Sequence, residues 1–218
     1  TSGVGIYAVN GTGFVVTDPN YAVNVLQAPT NATAFTVTPA QLFYTADDQD
    51  REYGDANSLL TGALDGLVNG DTLESVTTGT MLFTTAATEM SNVGLYAIDG
   101  SGLTVVSPNY FLTILQDLDN ATALRINPAT LTYVADPGQR VYGDPNPAFT
   151  GTVTGFKNTD TLGSVTTGTA VFTSPATPTT NVGEHGIFGS GLTVTSGNYV
   201  AVIEQDDSND EALEIIPA

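Results

Sequence analysis

Arg51-Glu52-Tyr53-Gly54-Asp55 returns as Arg140-Val141-Tyr142-Gly143-Asp144, 89 residues later. Ser75-Val76-Thr77-Thr78-Gly79-Thr80 returns unchanged as Ser164 to Thr169 at the same interval. Ser101 to Val105 returns as Ser190 to Val194. Pro39-Ala40 recurs as Pro128-Ala129 and as Pro217-Ala218. Asn20-Tyr21 recurs as Asn109-Tyr110 and as Asn198-Tyr199. No insertion or deletion breaks the register, so a fixed period decides the architecture before any local reading.

Residues 41–129 and 130–218 are therefore two complete units, and 1–40 matches the last 40 residues of a unit. Identical lengths mean that every loop is held constant, although loops normally drift. A period of 89 exceeds the roughly 20 to 50 residues of solenoid repeats. It is the size of one β-sandwich domain. The expectation is an all-β chain of tandem antiparallel β-sandwich domains.

Composition agrees. The 218 residues hold 23 acidic and 4 basic side chains, a net charge of −19, with no cysteine and no tryptophan. Four cations cannot neutralise a phosphate backbone, so nucleic acid is excluded as a partner. An anionic membrane surface repels such a chain, and no apolar run approaches the roughly 18 residues of a membrane helix. The start, Thr1 to Ile6, lacks the basic and apolar regions of a signal peptide. Hydrophobic residues make up 41 % of the chain, which argues against disorder despite the charge. Thr, Ser, Asn and Gly dominate the polar positions and suit strand faces and tight turns.

The copies predict the core by comparison with one another. After Asn-Tyr, one face reads Tyr21, Val23, Val25, then Tyr110, Leu112, Ile114, then Tyr199, Ala201, Ile203. The other face wanders from Ala22, Asn24, Leu26 to Val200, Val202, Glu204, so the first set is expected inside. Before Pro-Ala, Phe35 and Val37 become Leu124 and Ile126, then Leu213 and Ile215. Between them stand Thr36, Arg125 and Glu214, which point to water. Further core pairs are Leu42/Leu131, Tyr44/Tyr133, Val76/Val165, Phe83/Phe172, Val93/Val182 and Leu103/Leu192. Only Pro-Ala separates one unit from the next. A connection that short predicts a stiff joint and an extended rod, with self-repulsion favouring extension.

The order of these motifs resembles the MBG-type repeat of large bacterial surface and secreted adhesins. The first full copy carries it in Arg51, Tyr53, Gly54, Asp55 and Asn57, then Gly66 to Leu73, Thr78 to Thr80, Val93, Gly94, Tyr96, Asn109 and Tyr110. The second keeps Asn146-Pro147 and Gly155 to Leu162 but has His185 in place of Tyr96. The resemblance implies an extracellular, tandem Ig-like β-sandwich in a bacterial stalk or matrix fibre. It implies no catalytic residues.

Candidate sites are few. In Arg-x-Tyr-Gly-Asp, glycine supplies positive φ, aspartate is expected to bond nearby amides, and tyrosine packs with its hydroxyl satisfied. Arg51 and Arg140 are expected to pair with carboxylates of their own units. His185 occurs once in a repeated unit, so no Ser-His-Asp set recurs. The acids shared by both full copies are Asp47/Asp136, Asp55/Asp144, Asp71/Asp160 and Asp117/Asp206, all in turns. A small sandwich offers no cleft in which two of them would act as a glycosidase pair. Calcium is the one cofactor for which the chain offers candidate ligands. Asp117, Asp119 and Asn120, with Asp206, Asp207 and Asp210, offer oxygen ligands in one turn. The first copy has Ala28-Pro29-Thr30-Asn31 there, neither run fits the twelve-residue calcium loop, and a solvated turn explains both. Lys157 is the only lysine and replaces Val68, which excludes a lysine crosslink common to the units. Asn10, Asn31 and Asn120 head glycosylation sequons.

The expected role is architectural: an extracellular repeat segment of a bacterial adhesin stalk or surface fibre, not an enzyme. Its partners would be neighbouring repeats or identical chains. A second reading is binding of host or matrix glycans, or of a protein, through Phe43 or Phe111, which become Thr132 and Val200 in the other copy. The half unit 1–40 reads as about four strands cut from a longer array; alternatively, a second chain supplies the missing strands in a head-to-tail filament.

Overall fold

The structure is a computed structural model that describes residues 2–22 and 24–218. Val23, placed on the core face above, lies outside the described residues, as does Thr1. The chain is all-β; among the described residues the sheets are open and the two α-helices are single turns. The N-terminal segment forms β1 (Gly5–Tyr7) and β2 (Phe35–Val37). The next unit forms β3 (Phe43–Ala46), β4 (Gln49–Glu52), β5 (Gly62–Asp65), α1 (Leu73–Val76) and β6 (Thr77–Thr84). It continues with β7 (Gly94–Tyr96), β8 (Asp99–Val105), β9 (Leu115–Gln116) and β10 (Leu124–Asn127). The last unit repeats these as β11 (Thr132–Ala135), β12 (Gly138–Val141), β13 (Gly151–Thr154), α2 (Leu162–Val165) and β14 (Thr166–Thr173). It ends with β15 (Gly183–His185), β16 (Phe188–Val194), β17 (Glu204–Gln205) and β18 (Leu213–Ile216). Every strand of one complete unit recurs in the other at an offset of 89.

Packing divides the chain into two compact units. One holds the residues up to Asp47, with Thr61–Thr84 and Asp99–Asn120; the other holds Asp48–Leu60, Thr85–Ile98 and Ala121–Ala218. The Pro39-Ala40 junction therefore lies inside the first, and Pro128-Ala129 inside the second. Each compact unit joins the last sheet of one sequence repeat to the first sheets of the next.

In the first unit, sheet β5-β3-β9 faces the β6-β8 pair. Leu42, Leu64, Val76, Val105 and Tyr110 form the core between them. Tyr44 meets Phe83 edge-on, with ring centroids 6.3 Å apart. Gly100 is required here, because a Cβ would come within 2.4 Å of the Tyr44 side chain. The turn before β6 is closed by a reciprocal cap: Thr72 N donates to Ser75 Oγ (2.9 Å) and Ser75 N to Thr72 Oγ1 (3.3 Å). The second unit repeats this arrangement in β13-β11-β17 over β14-β16 and adds sheets β12-β18-β15 and β4-β10-β7. Its core runs through Tyr133, Phe172, Ile187, Leu213 and Ile215.

The structure corrects three expectations. The sheets are mixed, not wholly antiparallel: β9 runs parallel to β3, β10 to β4, β17 to β11 and β18 to β12. Most of a repeat lies between such partners and serves as the crossover a parallel pair needs. The Asn-Tyr strand is not continuous. Tyr110 makes one isolated bridge to Ala40, the chain then bends, and it rejoins a ladder only at β9, which leaves Leu112 78 % exposed. Ala201 is exposed in the same place, and Val182 is 50 % exposed. In the N-terminal segment, residues 10–16 align with β8 but form no strand, because no counterpart of β6 stands beside them. Of the four strands expected there, β1 and β2 form. Their sheet lacks the parallel third strand that covers β10 and β18, and Phe35 is 52 % exposed; Tyr21 and Val25, expected on the core face, are exposed too. Leu42/Leu131, Tyr44/Tyr133, Val76/Val165, Phe83/Phe172 and the pairs in β10 and β18 are buried as expected, while Leu103 and Leu192 pack half-buried against the cores.

Candidate functional site

Pro-Ala and Asn-Tyr, which recur in all copies, meet at the joints between repeats. At Pro128-Ala129, Ala129 N donates to Asn198 O (2.9 Å) and Val200 N to Ala129 O (2.9 Å). Val93 N donates to Asn198 Oδ1 (2.9 Å), and Asn198 Nδ2 donates to Asn92 Oδ1 (2.9 Å). The Tyr53 ring meets Tyr199 edge-on at 5.7 Å. The joint at Pro39-Ala40 repeats this 89 residues earlier: Ala40 N to Asn109 O (3.0 Å), Phe111 N to Ala40 O (2.9 Å), Val4 N to Asn109 Oδ1 (2.9 Å). The asparagine of Asn-Tyr is thus a clamp that binds the preceding repeat through backbone and side chain together.

The tyrosine of Asn-Tyr anchors its own repeat. Tyr199 OH donates to Asp160 Oδ2 (2.8 Å) and accepts from Lys157 N (2.9 Å); Tyr110 OH donates to Asp71 Oδ2 (2.8 Å) and accepts from Val68 N (3.0 Å). Burial, reinforced by the neighbouring Asp160 carboxylate, pushes the Tyr199 phenol up to about 12. Burial raises Tyr110 in the same direction. Lys157 Nζ reaches Asp55 (2.9 Å) and Glu52 (3.7 Å), and the Asp55 hydrogen bond holds its ammonium above the usual lysine range.

Arg-x-Tyr-Gly-Asp is built differently from the expectation. Neither Arg51 nor Arg140 pairs with a carboxylate among the described residues. Arg51 donates to Asn57 Oδ1 (2.7 Å), Thr88 O (2.6 Å) and Glu52 O (3.1 Å), and Arg140 repeats this with Asn146 Oδ1 (2.8 Å), Thr177 O and Val141 O. Both guanidiniums are buried, and a neutral amide with two carbonyls satisfies the planar fork without a second ion to desolvate. Asp55 serves Lys157, not nearby amides. Gly54 and Gly143 have the expected positive φ.

The remaining shared acids also hold turns. Asp47 and Asp136 accept from Thr61 and Thr150 hydroxyls at 2.6 Å. Asp117 Oδ1 accepts from Asp119 N (3.0 Å), and Asp206 Oδ1 from Ser208 Oγ (2.6 Å) and Ser208 N (3.0 Å). Those two bonds from Ser208 hold the Asp206 carboxyl below its usual value. Asn120, named above as a calcium ligand, is buried: Oδ1 accepts from Ala46 N (2.7 Å), and Nδ2 donates to Tyr44 O (2.8 Å). Asn209 does the same with Ala135 N and Tyr133 O. Asp119, Asp207 and Asp210 lie exposed on the turn. Among the described residues, no three Asp, Glu or His side chains converge into a metal site.

Sequence reading missed a glutamine. Gln27, Gln116 and Gln205 each clasp the aligned glycine of their own copy, Gly11, Gly100 in β8 and Gly189 in β16, through both N–H and C=O at 2.7–2.9 Å. Identity in all three copies was the available signal. His185 Nε2 donates to Asn181 O (2.8 Å) just as Tyr96 OH donates to Asn92 O (2.8 Å) and Tyr7 OH to Gly3 O (2.6 Å).

The family profile described as MBG domain (YGX type) matches residues 42–117 and 131–205, more than half of the chain. The chain belongs to this MBG family. The Tyr-Gly pairs of its two MBG repeats are Tyr53-Gly54 and Tyr142-Gly143, in the turns held by the buried arginines. No curated protein and no solved structure matches the chain. Among the described residues, no helix is long and apolar enough to cross a membrane.

Proposed function

We propose that this MBG chain is a load-carrying segment of a bacterial adhesin stalk or surface fibre, exposed outside the cell and without catalysis. The observation that carries this reading is the reuse of recurring polar side chains. Asn109/Asn198, Arg51/Arg140, Asn120/Asn209 and Gln116/Gln205 are occupied in holding strands, turns or successive repeats. A repeat whose shared chemistry is spent on its own joints fits a spacer better than an enzyme. The −19 charge favours a soluble, solvated surface.

Protease shaving of the intact producing cells, with electron microscopy of antibody-labelled material, tests this. Release of the repeats from the surface as fibrous material is expected. Retention inside shaved cells would overturn the reading.

A further inference from the structure

One outward face is kept between the two full repeats while the others change. On β6 and β8, the residues turned away from the core are Thr78, Thr80, Leu82, Thr84, Ser101 and Thr104, all exposed. Thr78 stands directly opposite Thr104, and Leu82 opposite Ser101. On β14 and β16 the six positions return 89 residues later unchanged, save Val171 for Leu82, with the same cross-strand pairing. Other outward rows do not persist. Asp50-Arg125-Leu95 becomes Gln139-Glu214-Glu184, and Phe43 beside Leu115 becomes Thr132 beside Glu204. An exposed strand position accepts any good β-former, so propensity explains a threonine at one position but not the same hydroxyl at five. The face is also uncharged in a chain of −19. One acid borders it, Asp99 at the start of β8, which is Phe188 in the other copy. β6 and β14 run for eight residues each with no charge and no proline, the devices that normally keep an exposed strand from associating.

We propose that this threonine face, on β6-β8 and again on β14-β16, is where a second copy of this chain packs side by side. Like faces meet. The threonine methyls and Leu82 or Val171 pack against their equivalents, and the hydroxyls bond across the contact directly or through water. Charge selects this partner. Two chains of −19 repel each other except across a neutral surface, whereas a cationic partner would be drawn to the carboxylates elsewhere. Two strands of eight residues cover about 250 Å², against the roughly 800 Å² per partner of a stable dimer, so one pair of faces holds weakly and reversibly. Screening of the surrounding carboxylates strengthens the contact, and association rises with salt.

The test is sedimentation of the full chain from about 0.02 to about 1 mM, in about 0.05 and about 0.5 M salt, with the Thr78 amide followed by NMR. The weight-average mass is expected to rise with concentration, more so at high salt, and the Thr78 amide to shift with it. Thr78→Glu with Thr167→Glu puts a carboxylate into each face and is expected to abolish the rise, with the fold retained by circular dichroism. Thr104→Glu with Thr193→Glu, on the partner strands, is expected to do the same. Thr152→Glu with Thr154→Glu adds equal charge on β13 and is expected to leave association intact. A mass independent of concentration in both salts would overturn the proposal, as would equal losses for all three double variants. A chain that stays monomeric while dextran shifts the Thr78 amide would overturn it too and assign the face to a neutral polysaccharide. Each result leaves the surface-stalk reading standing, because that rests on location and not on self-association.

Discussion

Arg51 and Arg140 show how a charge is kept inside a small β-domain without a counter-ion. Each guanidinium spends its fork on one asparagine and two carbonyls, tying the Tyr-Gly turn to the loop at Thr88 or Thr177. Lysine cannot reproduce that planar geometry, so one ammonium cannot serve the three acceptors as the fork does. Arg51→Lys and Arg140→Lys are each expected to cost about 3 kcal/mol, read as a lower urea midpoint with unchanged slope. His185 is the opposite case. Its Nε2 makes the bond that tyrosine makes in the other copies, so His185→Tyr is expected to change stability by less than about 0.5 kcal/mol. A larger loss in the same urea titration would mean that the imidazole has a role of its own.

At the scale of elements, the turns rather than the strands separate tolerant from intolerant positions. Gly66 has φ +92°, and a Cβ there would lie 2.1 Å from Gln41 O; Gly155 matches it at 2.2 Å from Thr130 O. Alanine adds a collision with backbone to left-handed strain, about 3 kcal/mol together. Gly70 also has positive φ but meets nothing within 4 Å, so its alanine variant bears the strain alone, about 1 kcal/mol. Equal losses for Gly66→Ala and Gly70→Ala on thermal unfolding would refute the contrast. Much of this fold was legible because copies could be compared. Leu42, Tyr44, Val76 and Phe83 kept their character across both full units and are buried. The Asn-Tyr run misled because alternation was read through Leu112, where the ladder is interrupted by a bend. Parallel pairing was invisible, since hydrophobic periodicity does not record strand direction. The partners of Arg51 escaped for a related reason. Acceptors on Thr88 and Glu52 are main-chain carbonyls, which carry no sequence signature.

For the whole molecule, the joint between the repeats at Pro128-Ala129 gathers the groups most sensitive to high pH. In the second compact unit, Tyr199 bonds Asp160 while its ring covers Tyr53, and Lys157 bonds Asp55. The Tyr199 phenol is raised from 10.0 to about 12, so folding favours its neutral form. That stability is fully present below about pH 10 and is lost as pH rises through 12. Lys157 is raised above 10.5 chiefly by Asp55, so folding favours its ammonium, and its contribution is also lost on the alkaline side. The two groups sit in one joint and fail in the same direction. The urea midpoint is expected to hold steady up to about pH 10 and to fall steeply between about 10 and 12. Absorbance of phenolate at 295 nm should show a late-ionising tyrosine that disappears in Tyr199→Phe. That variant should lose stability at neutral pH, because the Asp160 carboxylate and Lys157 N lose their hydroxyl partner, and should show a shallower alkaline fall. An alkaline profile as steep as that of the parent chain would remove Tyr199 as its source.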